Sequence, residues 1–308
     1  MNNVISTRVS VFRNLKDFKF SHKLNEEQKQ TIISRLEKEL KAQMKLLNVK
    51  SLNQSTLALF NSKALILNNA EIIFADKKED CVVNMFCDEH ISIVSAGDGF
   101  SQAIIEKAIK LAQMLSNKIS FAFTDDYGYL MSDISKIGAG VRIESNILLN
   151  SLKAINKIEQ VKQNISKLGY SLRETKISNV YTLSTMCNLG VGEKQIFEDF
   201  KNTLLKLQEL EIESLKMIDM SKHDEIIDKA ERSFAILKAC HLLTHDELFN
   251  LTINLRMAVN LGLKAIKIET INSLHKLVLK KTNDIMSIEE MKNLADETKT
   301  ILQGENDV

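Results

Sequence analysis

Residues 6–14 read Ser-Thr-Arg-Val-Ser-Val-Phe-Arg-Asn, and this stretch carries the strongest indication of the fold. Apolar and polar residues alternate weakly over 4–12, and this period of two predicts a strand or an extended arm. Arg8 and Arg13 lie within residues 6–14, and Arg142 follows a Gly-Ala-Gly run. Arginine offers phosphate a planar pair of donors and does not deprotonate. These arginines therefore suit the binding of a polyphosphate.

Composition excludes several classes of function. Lysine plus arginine (41) nearly balances aspartate plus glutamate (40), and the net charge of +1 argues against a nucleic-acid or membrane-surface partner. No apolar run approaches the roughly 20 residues that span a bilayer, and the first residues lack a signal-peptide pattern, so we expect a cytoplasmic protein. No metal site is predicted, because the cysteines have no metal-ligand spacing and are interpreted as reduced thiols: Cys81, Cys87, Cys187 and Cys240.

Hydrophobic periodicity predicts a mixed first part and a helical second part. Asn25 is a helix cap with Gln28 three residues on, and residues 55–95 contain short apolar runs typical of strands. The remaining predicted elements are a helix over 101–116, a strand over 120–124, a helix over 144–167, strands within 170–184, and helices over 195–221, 224–243, 245–261, 266–282 and 287–303.

Several segments together resemble a known family. Residues 6–14 are similar to its Ser-x-Arg-x-Arg-x-x-Arg-Asn segment, and Cys87-Asp-Glu-His is similar to its Asn-Glu-Glu-Asp-His segment. Gly138-Ala-Gly-Val-Arg resembles its Gly-Thr-Gly-Leu-Arg, and two later helical segments resemble the tail of its bacterial branch. The chain thus resembles the guanidino (phosphagen) kinases, and within them the bacterial protein-arginine kinases.

The resemblance implies the architecture and the partners. We expect an α+β fold, with an antiparallel sheet flanked by helices in a catalytic domain over 1–220 and an all-helical domain over 221–308. In the bacterial branch the helical domain binds phosphoarginine and mediates dimer contacts. ATP and Mg²⁺ are the implied cofactors. The implied partners are proteins with exposed arginine, an activator protein, a Clp-type unfoldase and a second copy in a homodimer, with neither nucleic acid nor membrane.

The resemblance also assigns site residues. Paired carboxylates orient the substrate guanidinium and accept its proton, and here they are Asp88 and Glu89. Serine stands at two positions where the family has phosphate-binding arginines, and the loop over the nucleotide is deleted. The two serines are Ser10 and Ser92. The predicted nucleotide-binding residues are Ser6, Arg8, Ser10, His90, Arg142 and Arg173.

Two hypotheses about function follow. The first is an enzyme that transfers phosphoryl groups from ATP to arginine side chains of proteins. Its own active site is eroded, so its activity is weak or lost. The second is a pseudokinase that keeps the fold and acts as a regulatory or protein-binding module. The first predicts that Arg8, Arg142 and Arg173 converge within one pocket with Asp88 at its rim.

Overall fold

A computed structural model describes residues 3–175, 177, 179–186, 189–218, 223–279 and 286–303. Cys187, the predicted domain boundary at 220/221 and the end of the helix predicted over 266–282 lie outside the described residues. Both predicted domains contain described elements, and the division at 220/221 stays a prediction. Among the described residues, no helix combines the length and the apolar character needed to cross a membrane.

In its described residues, the first part of the chain is built on one antiparallel sheet of eight strands. The strands are β1 Val4–Arg13, β2 Met44–Asn48, β3 Ile72–Asp76, β4 Cys81–Met85, β5 Ile91–Asp98, β8 Val141–Leu148, β9 Tyr170–Glu174 and β10 Val180–Thr185. They lie in the order β2-β3-β4-β5-β1-β8-β10-β9, so the predicted strand β1 is central. Two short strands, β6 Phe123–Thr124 and β7 Gly128–Tyr129, form a separate hairpin.

In the described part of the chain, ten α-helices surround the sheet and follow it. They are α1 Glu26–Leu40, α2 Gln54–Ser62, α3 Gln102–Ser116, α4 Asn150–Ala154, α5 Ile158–Lys167, α6 Glu193–Lys216, α7 His223–Ala239, α8 His245–Asn260, α9 Ile268–Leu279 and α10 Ile288–Leu302. The start of α1 is confirmed: the Asn25 side chain accepts from the Gln28 amide and the Gln28 side chain accepts from the Asn25 amide.

The two faces of the sheet are covered differently. Val9 and Val11 of β1 belong to the main core, which α1, α3, α5 and α6 pack against. On the opposite face, α2 covers β3–β5, where Phe60 forms a smaller apolar cluster with Val82 and Val94. On the neighbouring strands β1 and β8, this face carries polar side chains such as Arg8 and Glu144.

The helices after α6 form a second core. It contains Leu237, Leu248 and Leu274, and it also takes in Leu148 and Val180 from the ends of β8 and β10. The antiparallel sheet with flanking helices and a helical C-terminal part confirms the predicted fold class.

Two local predictions are wrong. Residues 141–148, predicted in part as helix, form strand β8. Its odd-numbered residues are buried, and residues 142, 144 and 146 are half-buried. The backbone of β8 pairs with both β1 and β10, and this pairing outweighs the weak helical period of its residues. Residues 54–62, within a segment predicted as strands, form α2, which Asn53 caps by accepting from the Thr56 amide.

Candidate active site

The register of β1 and β8 places the predicted arginines on one face. Directly opposite residues in an antiparallel pair project to the same side of the sheet. Side chains two residues apart on a strand also share a face and lie about 7 Å apart. The three opposing pairs on this face, which we call the arginine face, are Ser6–Asn146, Arg8–Glu144 and Ser10–Arg142.

A cavity of about 470 Å³ lies over one end of the arginine face. Its walls come from β1, from β9 and from the end of α2, so that Arg8 and Arg173 line it together with Lys63. Arg142 and Ser10 are outside this arginine cavity, one residue pair further along the face. The structure thus brings Arg8 and Arg173 into one cavity and leaves Arg142 beside it.

Arg8 is already engaged with a carboxylate. Its Nε donates to Glu144 Oε2 at 3.0 Å, and its Nη2 forms a salt bridge with the same oxygen. Its Nη1 donates to the carbonyl of Ala64 at 3.2 Å. The guanidinium fork that would bind phosphate therefore binds a side chain of the same face.

Charges in the arginine cavity are balanced. Three cationic side chains and three carboxylates line the cavity, so it lacks the excess of positive charge that would attract a polyphosphate. The cations are Arg8, Lys63 and Arg173, and the carboxylates are Asp98, Glu144 and Glu174.

Asp88 lies in a second cavity of about 480 Å³, which we call the carboxylate cavity. Its side chain is 75% exposed and accepts from Lys136 Nζ at 2.7 Å. Lys136 is buried, lies 4.7 Å from the centre of the Phe12 ring, and also pairs with Asp133 at 3.5 Å. Because Phe12 is two residues beyond Ser10 on β1, the carboxylate cavity adjoins the arginine face.

The carboxylate cavity carries both signs of charge, since Lys29 lines it and Lys136 pairs with its two carboxylates. Asp133 lines it beside Asp88. Burial opposes ionisation of Asp133, but hydrogen bonds from Ser135 and the charge of Lys136 lower its pKa overall. Burial and the charge of Asp88 raise the pKa of Cys87 to about 12, so this thiol in the cavity wall stays protonated.

Glu89, predicted as catalytic, holds the loops of the site together. It is fully buried, and its carboxylate accepts from Asn14 Nδ2 at 2.6 Å and from the Ser132 hydroxyl at 2.9 Å. The amides of Ser132 and Asp133 also donate to it, at 3.0 and 3.4 Å. This arrangement ties β1 to the segment carrying Asp133 and does not favour contact with a substrate.

His90, predicted to bind nucleotide, is also buried and fully engaged. Its Nδ1 accepts from the Leu15 amide at 3.0 Å, so Nε2 carries the proton and donates to the Lys19 carbonyl at 2.7 Å. Burial lowers the pKa of His90, which keeps the ring neutral. Both ring nitrogens are thus engaged within the protein, and the role of His90 in nucleotide binding stays a prediction.

Arg13 lies at the end of β1 and holds the segments next to the arginine face together. It is buried, with Nη1 donating to the carbonyls of Phe12 and Ala139 at 2.7 and 3.0 Å. Its Nη2 donates to Glu193 at the start of α6, and the guanidinium stacks 3.5 Å from the centre of the Tyr129 ring. Arg13 therefore fastens the Gly-Ala-Gly turn and α6 to β1.

Glu144 is a residue of the site that the sequence motifs do not indicate. Part of the signal was present, because Arg142 and Glu144 alternate with the apolar Val141 and Ile143 as in a strand, but Ser145 interrupts the alternation. The helix predicted from residue 144 obscured it.

The fold defines a class of proteins. The structure is similar to the substrate-free duplicated taurocyamine kinase from Schistosoma mansoni, with a TM-score of 0.60 and 20% identity, covering 68% of this chain and 33% of that one. It is similarly related to lombricine kinase, with a TM-score of 0.60, 15% identity and coverage of 68% and 66%. The chain thus spans about a third of the duplicated enzyme, and the fold is that of the guanidino kinases.

The sequence comparisons identify the family. Residues 11–214 match the ATP:guanido phosphotransferase C-terminal catalytic domain, and the chain belongs to that family. It is 28% identical over 279 residues to a protein-arginine kinase of Clostridium kluyveri, covering 84% of this chain and 81% of that protein. A protein-arginine kinase of an Exiguobacterium species is 26% identical over 274 residues, covering 84% and 79%.

Proposed function

We propose that this chain transfers phosphoryl groups from ATP to arginine side chains of proteins, at a rate limited by the charges built into its site. The observation that carries the proposal is the arginine face, on which Arg8 and Arg142 lie two residues apart in register and which leads to Asp88. The proposal also rests on the similarity to protein-arginine kinases over most of the chain.

In this reaction the bond between the γ-phosphorus and its bridging oxygen breaks, and a phosphorus–nitrogen bond forms to the guanidinium. Arg142 and Arg173 would stabilise the charge on the phosphate oxygens, with Lys63 at the wall of the arginine cavity. Asp88 and Asp133 would hold the acceptor guanidinium, and Asp88, the more exposed carboxylate, would take the released proton. ADP and phosphoarginine leave.

The arginine cavity fits a nucleotide in size, and its arginines and lysine are residue types that bind phosphate, while its three carboxylates offset their charge. The arginine cavity, at about 470 Å³, lies within the roughly 300–1,000 Å³ typical of small-molecule sites. Mg²⁺ is held mainly by phosphate oxygens and water together with one or two carboxylates, and Asp98 lines this cavity as such a carboxylate. When bound, the ion would offset the charge of the phosphates.

Transfer of labelled γ-phosphate to an arginine-rich protein tests the proposal. Arg142→Ala should reduce the rate by about 10²- to 10³-fold, the usual cost of losing one group that stabilises transition-state charge. Arg232→Ala is the matched control, since this side chain is 71% exposed on α7 and pairs with Asp228. Equal rates in the wild type and Arg142→Ala would refute the role of the arginine face.

A second candidate function is a pseudokinase that acts as a regulatory or protein-binding module. It is favoured by the pairing of Arg8 with Glu144 and of Asp88 with Lys136, since each ligand charge must displace a side chain already in place. Calorimetry with ATP and Mg²⁺ separates the two. Absence of binding at millimolar ATP in a folded sample would support the pseudokinase and exclude the kinase.

The proposed partners follow from the family. For the kinase they are proteins with exposed arginine, and for either function a homodimer, an activator protein and a Clp-type unfoldase. Sedimentation of the purified chain tests the homodimer directly, because a monomer at micromolar concentration would contradict it.

A further inference from the structure

Glu144 is held firmly in the middle of the arginine face. Its side chain is 12% exposed. Oε2 accepts from two nitrogens of Arg8, and Ser184 Oγ lies 3.5 Å from Oε1. The carboxylate therefore presents both of its oxygens to groups of the site.

A carboxylate and a phosphate compete for the same donors. Both offer two oxygens at the spacing of a guanidinium fork, so Arg8 can bind Glu144 or a phosphate group, but it cannot bind both with the full fork. A phosphate that displaces Glu144 also leaves that carboxylate partly buried beside further negative charge, which adds to the cost of binding.

From this geometry we propose that Glu144 is an internal competitor that sets how strongly the arginine cavity binds polyphosphate. The inference rests on the proposed function, of which it describes the regulation. Glu144 occupies Arg8 in the ligand-free protein, and the cavity opens to phosphate only when the ion pair separates. A ligand or partner that draws Glu144 away would activate the site.

Neighbouring charges define what the test must separate. Glu174 lines the same cavity, but its carboxylate pairs with Lys153 at 2.6 Å. Among the described residues, no hydrogen bond or ion pair joins Glu174 to Arg8. Glu174→Gln thus removes one negative charge from the cavity without releasing Arg8. It is the matched control for Glu144→Gln.

The experiment measures binding of inorganic tripolyphosphate by calorimetry in metal-free buffer, so that catalysis and adenine recognition play no part. Glu144→Gln should tighten binding by about 10- to 100-fold, the range expected when a charged hydrogen bond no longer has to be broken. Glu174→Gln should change affinity by less than about threefold, as for an exposed charge. In an Arg8→Gln background the gain from Glu144→Gln should vanish, because the competition acts through Arg8.

The proposal is overturned if Glu144→Gln binds no tighter than the wild type, if Glu174→Gln gives an equal gain, or if the gain persists without Arg8. Thermal unfolding verifies the fold of each variant, and Glu144→Ser serves if the glutamine variant is unstable. Tighter binding by Glu144→Gln together with no phosphoryl transfer by the wild type would support this inference and refute the kinase proposal. Active wild type with no gain from Glu144→Gln would do the reverse.

Discussion

Replacing Glu89 with glutamine tests whether this carboxylate supports the site or takes part in the chemistry. The buried carboxylate accepts from one side-chain amide, one hydroxyl and two backbone amides. Glutamine keeps one acceptor oxygen and turns an NH₂ group towards donors. At least two charge-assisted hydrogen bonds are lost, at about 1.5–3 kcal/mol each, so the free energy of unfolding should fall by about 3–6 kcal/mol.

Urea unfolding followed by circular dichroism measures this change. Asp88→Asn is the matched control, since that neighbouring side chain is 75% exposed and its partner Lys136 retains Asp133, so we expect a loss of about 1 kcal/mol or less. If Glu89→Gln unfolds at the wild-type urea concentration yet abolishes phosphoryl transfer, the supporting role is wrong and the catalytic prediction stands.

Two further predictions concern stability. Gly140→Ala should cost about 2–4 kcal/mol, since φ is +60° and a Cβ would lie 2.9 Å from the Phe12 carbonyl oxygen; Gly169→Ala, with φ +83° and open space around it, should cost about 1 kcal/mol, and equal melting temperatures for the two would contradict the packing argument. Burial and then the charge of Arg256 lower the pKa of His275 to about 3. The unfolded chain therefore binds more protons below about pH 6.5, and stability should fall by about 1.4 kcal/mol per pH unit as the pH drops from there towards 3. Urea unfolding at pH 7 and 5.5 should show a shallower loss in His275→Asn, and an unchanged slope would refute this assignment.

Elements with strong local signals were predictable from the sequence. The strand over 4–12 and the capped start of α1 agree with the structure within a residue or two. The five C-terminal helices also match to within a few residues where they are described. Caps and hydrophobic periods act between near neighbours in the chain, so one sequence contains the information.

The wrong assignment of β8 has a different cause. Its stability comes from backbone pairing with β1 and β10, and the pair between Arg8 and Glu144 joins residues 136 positions apart. No local pattern reports such a pairing. The motifs predicted Arg8 as a phosphate-binding residue, but they could not reveal the carboxylate that faces it.

The sequence by itself determined the order of most elements, the family resemblance and the residue types available to the site. Only the tertiary structure decided which charges meet. It separates Asp88, exposed at a cavity, from Glu89, buried one residue later, and it pairs Arg8 with Glu144. The physical reason is that the strength of a charge in a site depends on its partners and its burial, and both are set by strands that are distant in the chain.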